Sequence, residues 1–268
     1  MTDMTLTSDI CEIIAKYIQK PRYELLEWID IGKLHLDYLS VNPNAIEILK
    51  DYQYKIDWDL LSSNPAAIEL LKENQDKINW IRFSLNPNSI TFLSNNIKKI
   101  EWYFLSANPG AIELIIKNPD KINFDNLSSN PHPKAVEYLI QYPDKINWDL
   151  LSKNPYAITI LKENPIKINW YYLSSNPAAI TLLKENPDKI DWYELSKNPN
   201  AIELLRENKD KIDWYELSKN PNAIELLREN QDKIIWKWLS SNPSIFKKID
   251  NDKSKEIIQK TLELLLIN

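Results

Sequence analysis

In one register the dipeptide Asn-Pro begins at Asn42, Asn64, Asn86, Asn108, Asn130, Asn154, Asn176, Asn198, Asn220 and Asn242, and every step of that series is 22 residues except one of 24. A fixed period of this length marks stacked units, none of which can bury its apolar face alone. The odd step follows Asn130, where Pro131-His132-Pro133-Lys134-Ala135 replaces the usual Pro-x-Ala and inserts two residues. A degenerate unit starts at Lys20-Pro21 and stays in phase through Lys33, Leu39 and Ser40, so eleven units are expected over residues 20–249. Residues 190–211 and 212–233 differ only at Lys209 versus Gln231. The array therefore grew by duplication.

Local chemistry says what each unit becomes. The best-formed one, Asn198 to Lys219, reads NPNAIELLRENKDKIDWYELSK. Proline holds the preceding residue extended, Asn is a strong helix N-cap, and Pro is favoured in the first helical position. Ala201, Ile202, Leu204 and Leu205 then form one apolar face, with Glu203, Arg206 and Glu207 on the other. The helix is expected to run about eight to ten residues and to stop near Asn208, because Pro119, Pro143, Pro165 and Pro187 follow that position in four units. A second N-cap precedes the tryptophan at Asp57, Asn79, Asn147, Asn169, Asp191 and Asp213. Trp214 and Leu217 share a face at i, i+3, and too little chain remains before the next Asn-Pro for more than a short α or 3₁₀ helix. The expected fold is an all-α solenoid, each unit one α-helix plus one short helix. Eleven layers at helix-packing distance suggest a rod or arc on the order of 100 Å long.

Open arrays need polar lids. An amphipathic N-terminal capping helix is expected within residues 1–19, where Asp9 and Glu12 sit at capping-box spacing ahead of Ile10, Ile13, Ile14, Tyr17 and Ile18. A C-terminal capping helix is expected within 250–268, striped by Ile258, Leu262 and Leu265. The repeats fill 20–249 between them.

At this point a resemblance can be stated. Asn-Pro opening a short helix, a Pro-Asp loop and a second, tighter helix resemble the leucine-rich variant repeat, a right-handed solenoid of alternating α and 3₁₀ helices. The fuller string L-S-x-N-P-x-A-I-x-L-L-x-x-N-P-x-K-I-x-W is similar to repeats in uncharacterised proteins of mimivirus-like giant viruses, a likeness that transfers no function. The abundance of Ile, Lys and Asn, all with AT-rich codons, agrees with such a source. Residues Leu6 to Ile18 slightly resemble the first helix of an F-box, which implies a ubiquitin-ligase substrate adaptor. Pro21, Lys33, Leu39 and Ser40 already belong to the repeat, however, and leave little chain for that domain.

Most enzyme classes are excluded by what the chain lacks. Its two glycines, Gly32 and Gly110, cannot build a phosphate-cradling loop. The single cysteine, Cys11, makes no internal disulfide, and His35 and His132 lie in different units without metal-ligand spacing. No catalytic residue, cofactor, metal or small-molecule ligand is expected. A net charge of −5 gives no overall attraction to nucleic acid or anionic lipid. The start MTDMTLTSD does not read as a secretory signal, and no apolar run is long enough to span a bilayer. A cytoplasmic setting is expected.

Three columns carry the functional expectations. The tryptophans Trp58, Trp80, Trp102, Trp148, Trp170, Trp192, Trp214 and Trp236, with Phe124 once in their place, are expected to pack in the core between layers. The lysines Lys55, Lys77, Lys99, Lys121, Lys145, Lys167, Lys189, Lys211 and Lys233 are expected to lay aliphatic stems over neighbouring rings or satisfy helix carbonyls, with phosphate tracking as the alternative. The two positions after each tryptophan vary most and are expected to face outward. They include Tyr103, Phe104, Tyr171, Tyr172, Tyr193, Tyr215 and Trp238, either a protein-binding surface or a cover for adjacent layers. The expected function is a non-enzymatic scaffold for an unknown protein partner.

Overall fold

The computed structural model describes residues 23–249. The expected capping helices at 1–19 and 250–268, and the F-box-like segment, lie outside the described residues.

Within one unit the Asn-Pro junction forms a tight turn before the helix. The Asn220 side chain accepts from the Asn222 N–H at 3.1 Å and caps a 3₁₀ turn, Pro221–Ala223, which leads into the α-helix Ile224–Glu229. The α-helix is therefore shorter than expected, because the side chain captures the N–H two residues on and tightens the first turn. At the far end a second asparagine acts as a stop. Asn208 Nδ2 donates to the Leu204 carbonyl four residues back, as do Asn74, Asn96, Asn118, Asn164, Asn186 and Asn230 to their own helices. Another 3₁₀ turn, Lys209–Lys211, leads to Asp213, whose carboxylate accepts from the Glu216 N–H at 2.8 Å and opens the short helix Trp214–Lys219.

The core runs through the stack as columns of small and medium side chains. Leu195, Leu217, Ala201, Ala223, Leu205 and Leu227 are fully buried, and Phe83 alone among the described residues enlarges the leucine column of the short helices. The tryptophans do not join them. All are half-buried, a correction to the expected core role. The leucine and alanine columns already close the space between helices at ordinary packing density, so the indole is left at the margin.

Layers are held together by two buried polar ladders. The ladder asparagine of each unit donates through Nδ2 to two carbonyls of the unit before it, as Asn220 does to Ser196 and Asn198, both at 3.0 Å. The serine two residues before that asparagine donates to the tryptophan carbonyl four residues back and accepts an N–H from the following layer. Ser196 Oγ thus donates to Trp192 at 2.8 Å and accepts from Asp213 at 3.0 Å. Such groups stay buried because their bonds are complete.

Following the ladder to its ends changes the architecture. Asn42, in the first Asn-Pro, donates to Ser240 and Asn242 at 3.0 and 2.9 Å, the same pair of bonds that Asn242 makes to Ser218 and Asn220. His35 N–H reaches Ser240 Oγ at 2.9 Å, and Asn44 Nδ2 reaches the Pro243 carbonyl at 2.9 Å, as Asn222 reaches Pro199. Residues 30–244 therefore form a closed ring of ten layers, with the same donor sense all the way round. The expected open rod of eleven layers is corrected. One layer is assembled from both ends of the array: the turn at Asn242 and Pro243 comes from the C-terminal side, and the 3₁₀ turn Ile31–Lys33 with the short helix Tyr38–Val41 from the N-terminal side. Consecutive short helices lie close together while consecutive long helices stand further apart. Each layer is thus a wedge, thin on the short-helix side, and ten wedges sharing one turn rotate about 36° each.

A second unit comprises the described residues 23–29 and 245–249. Instead of the helix expected after Pro21, Tyr23–Leu25 is a strand paired antiparallel with Phe246–Lys248, Leu25 opposite Phe246.

Candidate interaction surface

The short helices carry the variable residues, and their two variable positions behave differently. The first after the tryptophan is exposed: Tyr103 at 55%, Tyr171 at 44%, and Tyr193 and Tyr215 at 41%. The second turns toward the neighbouring layer. Phe104, Tyr172 and Trp238 are half-buried, and Glu194 and Glu216 are buried. The expectation that both face outward is corrected for this second column except at Arg82, which is exposed; the other side chains turn into the gap between short helices.

First and second positions meet across layers. Tyr193 donates its hydroxyl to Glu216 Oε1 at 2.8 Å, and Lys219 meets the same carboxylate at 2.8 Å while lying over the Tyr215 ring at 4.4 Å. One layer earlier, Lys197 pairs with Glu194 and sits 4.2 Å from the Tyr193 ring centroid. Tyr215 packs edge-on against Trp238 at 4.8 Å, and Trp238 in turn meets Tyr38 at 4.9 Å. Tyr103 and Phe104 form an edge-on pair within one helix, as do Tyr171 and Tyr172.

This arrangement shifts the protonation of its members. The hydrogen bond to Glu216, with burial and the carboxylate's charge adding to it, pushes the Tyr193 hydroxyl up to about 12. Tyr171 is raised in the same sense, first by its hydrogen bond to Glu194. Burial pushes the Lys153 ammonium down, against the opposing charge of Glu194. At Asp59, Asp125 and Asp149 the first position accepts instead from the N-cap asparagine of the next layer, Asn79 to Asp59 at 3.0 Å, Asn147 to Asp125 at 2.9 Å and Asn169 to Asp149 at 2.9 Å. The ring thus has an aromatic arc at Tyr171, Tyr193 and Tyr215 and acidic positions at Asp37, Asp59, Asp125 and Asp149.

The lysine column lies on the tryptophans. Lys77 Nζ is 4.3 Å from the Trp58 centroid, Lys189 and Lys211 are each 4.5 Å from Trp170 and Trp192, and Lys145 is 4.4 Å from Phe124. Lys33 covers Trp236 at 4.9 Å across the ring closure. In seven of the ten junctions the ammonium is engaged by the ring of the preceding layer, the aliphatic-stem role read from the sequence with a cation–π contact added, while Lys55 lies by Tyr54 and Lys121 pairs with Asp120. An unbroken row of free cations is not what this column presents.

The inserted layer differs again. His132 N–H bonds to the Asn130 carbonyl at 2.8 Å, and His132 Nδ1 takes over the helix cap by accepting from Lys134 N–H at 3.2 Å. Asn130 Oδ1 is left as the one buried side-chain polar atom without a partner among the described residues. Gly110, which the sequence offers no reason to single out, faces the preceding layer so closely that a Cβ would press into the Pro87 carbonyl. Among the described residues no cluster of His, Cys, Asp and Glu could hold a metal ion, and no helix is long and apolar enough to cross a membrane. No known protein family, curated protein or solved structure matches the chain.

Proposed function

We propose that the ring is a non-enzymatic scaffold that binds a protein partner through the aromatic arc of its short helices, with Tyr171, Tyr193 and Tyr215 at the centre and Tyr103 as an outlying anchor. The observation that carries this reading is that these tyrosines are more than two-fifths exposed while Tyr193 and Tyr215 are held in place by Glu216 and Trp238 of the next layer. An exposed tyrosine already fixed in one orientation loses little freedom on binding, and such aromatics dominate interface energetics. The likeness of the repeats to giant-virus sequences makes the host cytoplasm the proposed site of action.

A photo-crosslinking residue at position 193, compared with one at Glu163 on the long-helix side, tests the proposal in cells that contain the natural partner. A discrete adduct at 193, absent at 163 and lost when Tyr171 and Tyr215 become alanine, is the expected result. Equal labelling at both positions, or none at 193, overturns it.

A further inference from the structure

The layer assembled from both ends departs from the other nine at the tryptophan position, where Leu36 stands. In seven junctions of the ring the aromatic at this position lies under the lysine of the following layer. By register the lysine that would cover position 36 is Lys55, whose Nζ rests 5.6 Å from the ring of its neighbour Tyr54. The vacated space is open. A surface hollow of about 500 Å³ is lined by Leu34, His35, Leu36, Asp37 and Lys55. Leu34 is buried and forms its apolar floor, Leu36 is half-buried, and His35, Asp37 and Lys55 are exposed around it.

We propose that this hollow is a binding site for one planar aromatic ring system of indole size. The molecule itself supplies the template: the same backbone, one layer on, holds Trp58 with the Lys77 ammonium 4.3 Å above its ring. A bound ring occupies the corresponding place against Leu34 and Leu36, and Lys55 leaves Tyr54 to cover it, an exchange of one cation–π partner for another. The carboxylate of Asp37 favours a ring that carries an N–H at its edge over a purely hydrocarbon one. The site does not depend on the tyrosine arc, and it runs against the sequence reading that no small-molecule ligand is to be expected. Segments 1–22 and 250–268 contain a single aromatic residue, Tyr17, and no tryptophan, so the chain has no indole there to fill the space itself.

The test is a titration of the deuterated, ¹⁵N-labelled full chain with free indole and, in a second arm, with N-acetyltryptophanamide as a ring presented on a peptide. Saturable shifts at the amides of His35, Leu36, Asp37 and Lys55, with a Kd on the order of 1 mM for so small a ligand, are expected. The equivalent amides of Asp57, Trp58, Asp59 and Lys77 should stay still. Leu36→Trp, which restores the consensus residue and fills the space, weakens binding at least tenfold, and Lys55→Met, a surface change that leaves folding intact, weakens it about threefold. Binding of indole alone assigns the site to a free ligand, whereas binding of both extends it to a partner's tryptophan side chain. Shifts spread evenly round the ring, no saturation, or unchanged affinity in Leu36→Trp overturns the proposal.

Discussion

The junction between the layers of Asn198 and Asn220 and the junction where Asn242 meets Asn42 use the same ladder bonds, 3.0 and 3.0 Å at the first, 3.0 and 2.9 Å at the second. At the first the chain runs on from one layer to the next. At the second, two segments about 200 residues apart in sequence meet through side-chain bonds, and the chain ends beyond them pair through their backbones as the strands Tyr23–Leu25 and Phe246–Lys248. Around these bonds the filling differs: Trp214 beneath Lys233 at one, Leu36 beside an open hollow at the other. The tryptophan–lysine contact is therefore not needed at every junction, although Trp238 still meets Tyr38 and Lys33 still covers Trp236 across the closure, and register is set by asparagine and serine. A buried amide whose three partners are all backbone groups accepts no slip of one residue, because every bond would be lost together.

The sharpest way to break this comparison is to remove the ladder side chain at both junctions. Asn198→Ala deletes two bonds given and one received and strands the Ser174 carbonyl, the Asn176 carbonyl keeping the Ala179 N–H, so a loss of about 3 kcal/mol is expected in urea denaturation. Asn42→Ala deletes the same set, and its extra signature is faster hydrogen exchange at the His35 amide as the ends separate. Equal exchange in the two variants would mean that the closure is not held by this ladder.

The serine ladder discriminates more finely. Ser218→Ala leaves the Ile235 N–H without its acceptor and costs about 2 kcal/mol. Ser240→Ala frees the His35 N–H, whose residue is exposed and can turn to water, so about half that loss is expected from the same denaturation series. Removing His132 and Pro133 together rejoins Asn130-Pro131 to Lys134-Ala135, restores the regular spelling and gives Asn130 Oδ1 its N–H. A gain of about 1 kcal/mol is expected, and a loss in thermal melting would show that the insertion has a structural purpose.

The smallest effect is at the aromatic arc. Tyr193 titrates at about 12 against an ordinary 10, so its neutral hydroxyl is favoured by the fold. That stabilisation is complete below pH 10 and disappears as the pH passes through about 12. In absorbance titration at alkaline pH, Tyr193→Phe should abolish one late-ionising tyrosine with little change in stability near neutrality.

Much of a single layer was legible beforehand. Asn-Pro junctions, the second N-cap at Asp213 and its equivalents, and the lysine stem over a ring follow from rules acting within a few residues. What decides the ring acts between layers. On the short helix the two residues after Trp214 sit about 100° apart and equally far from the Trp214–Leu217 face, so the helix alone cannot say that Glu216 is buried while Tyr215 is exposed. The adjacent layer decides it. Closure was hidden for a similar reason, although one signal was present: the unit begun at Lys20-Pro21 lacks a sound first half, the unit begun at Asn242-Pro243 lacks a second, and together they complete one layer.

A ladder that returns to its own start also acts as a counter. An open stack gains or loses a unit with little consequence, but a ring of wedges tolerates only the number whose angles sum to one turn. The near-identity of residues 190–211 and 212–233 records a duplication that the circle had to absorb. Either the ancestor was an open arc that this copy closed, or an older copy was lost when it arrived. In this chain, length variation by whole repeats is a change of topology, and relatives should keep ten ladder asparagines even where every surface residue has drifted.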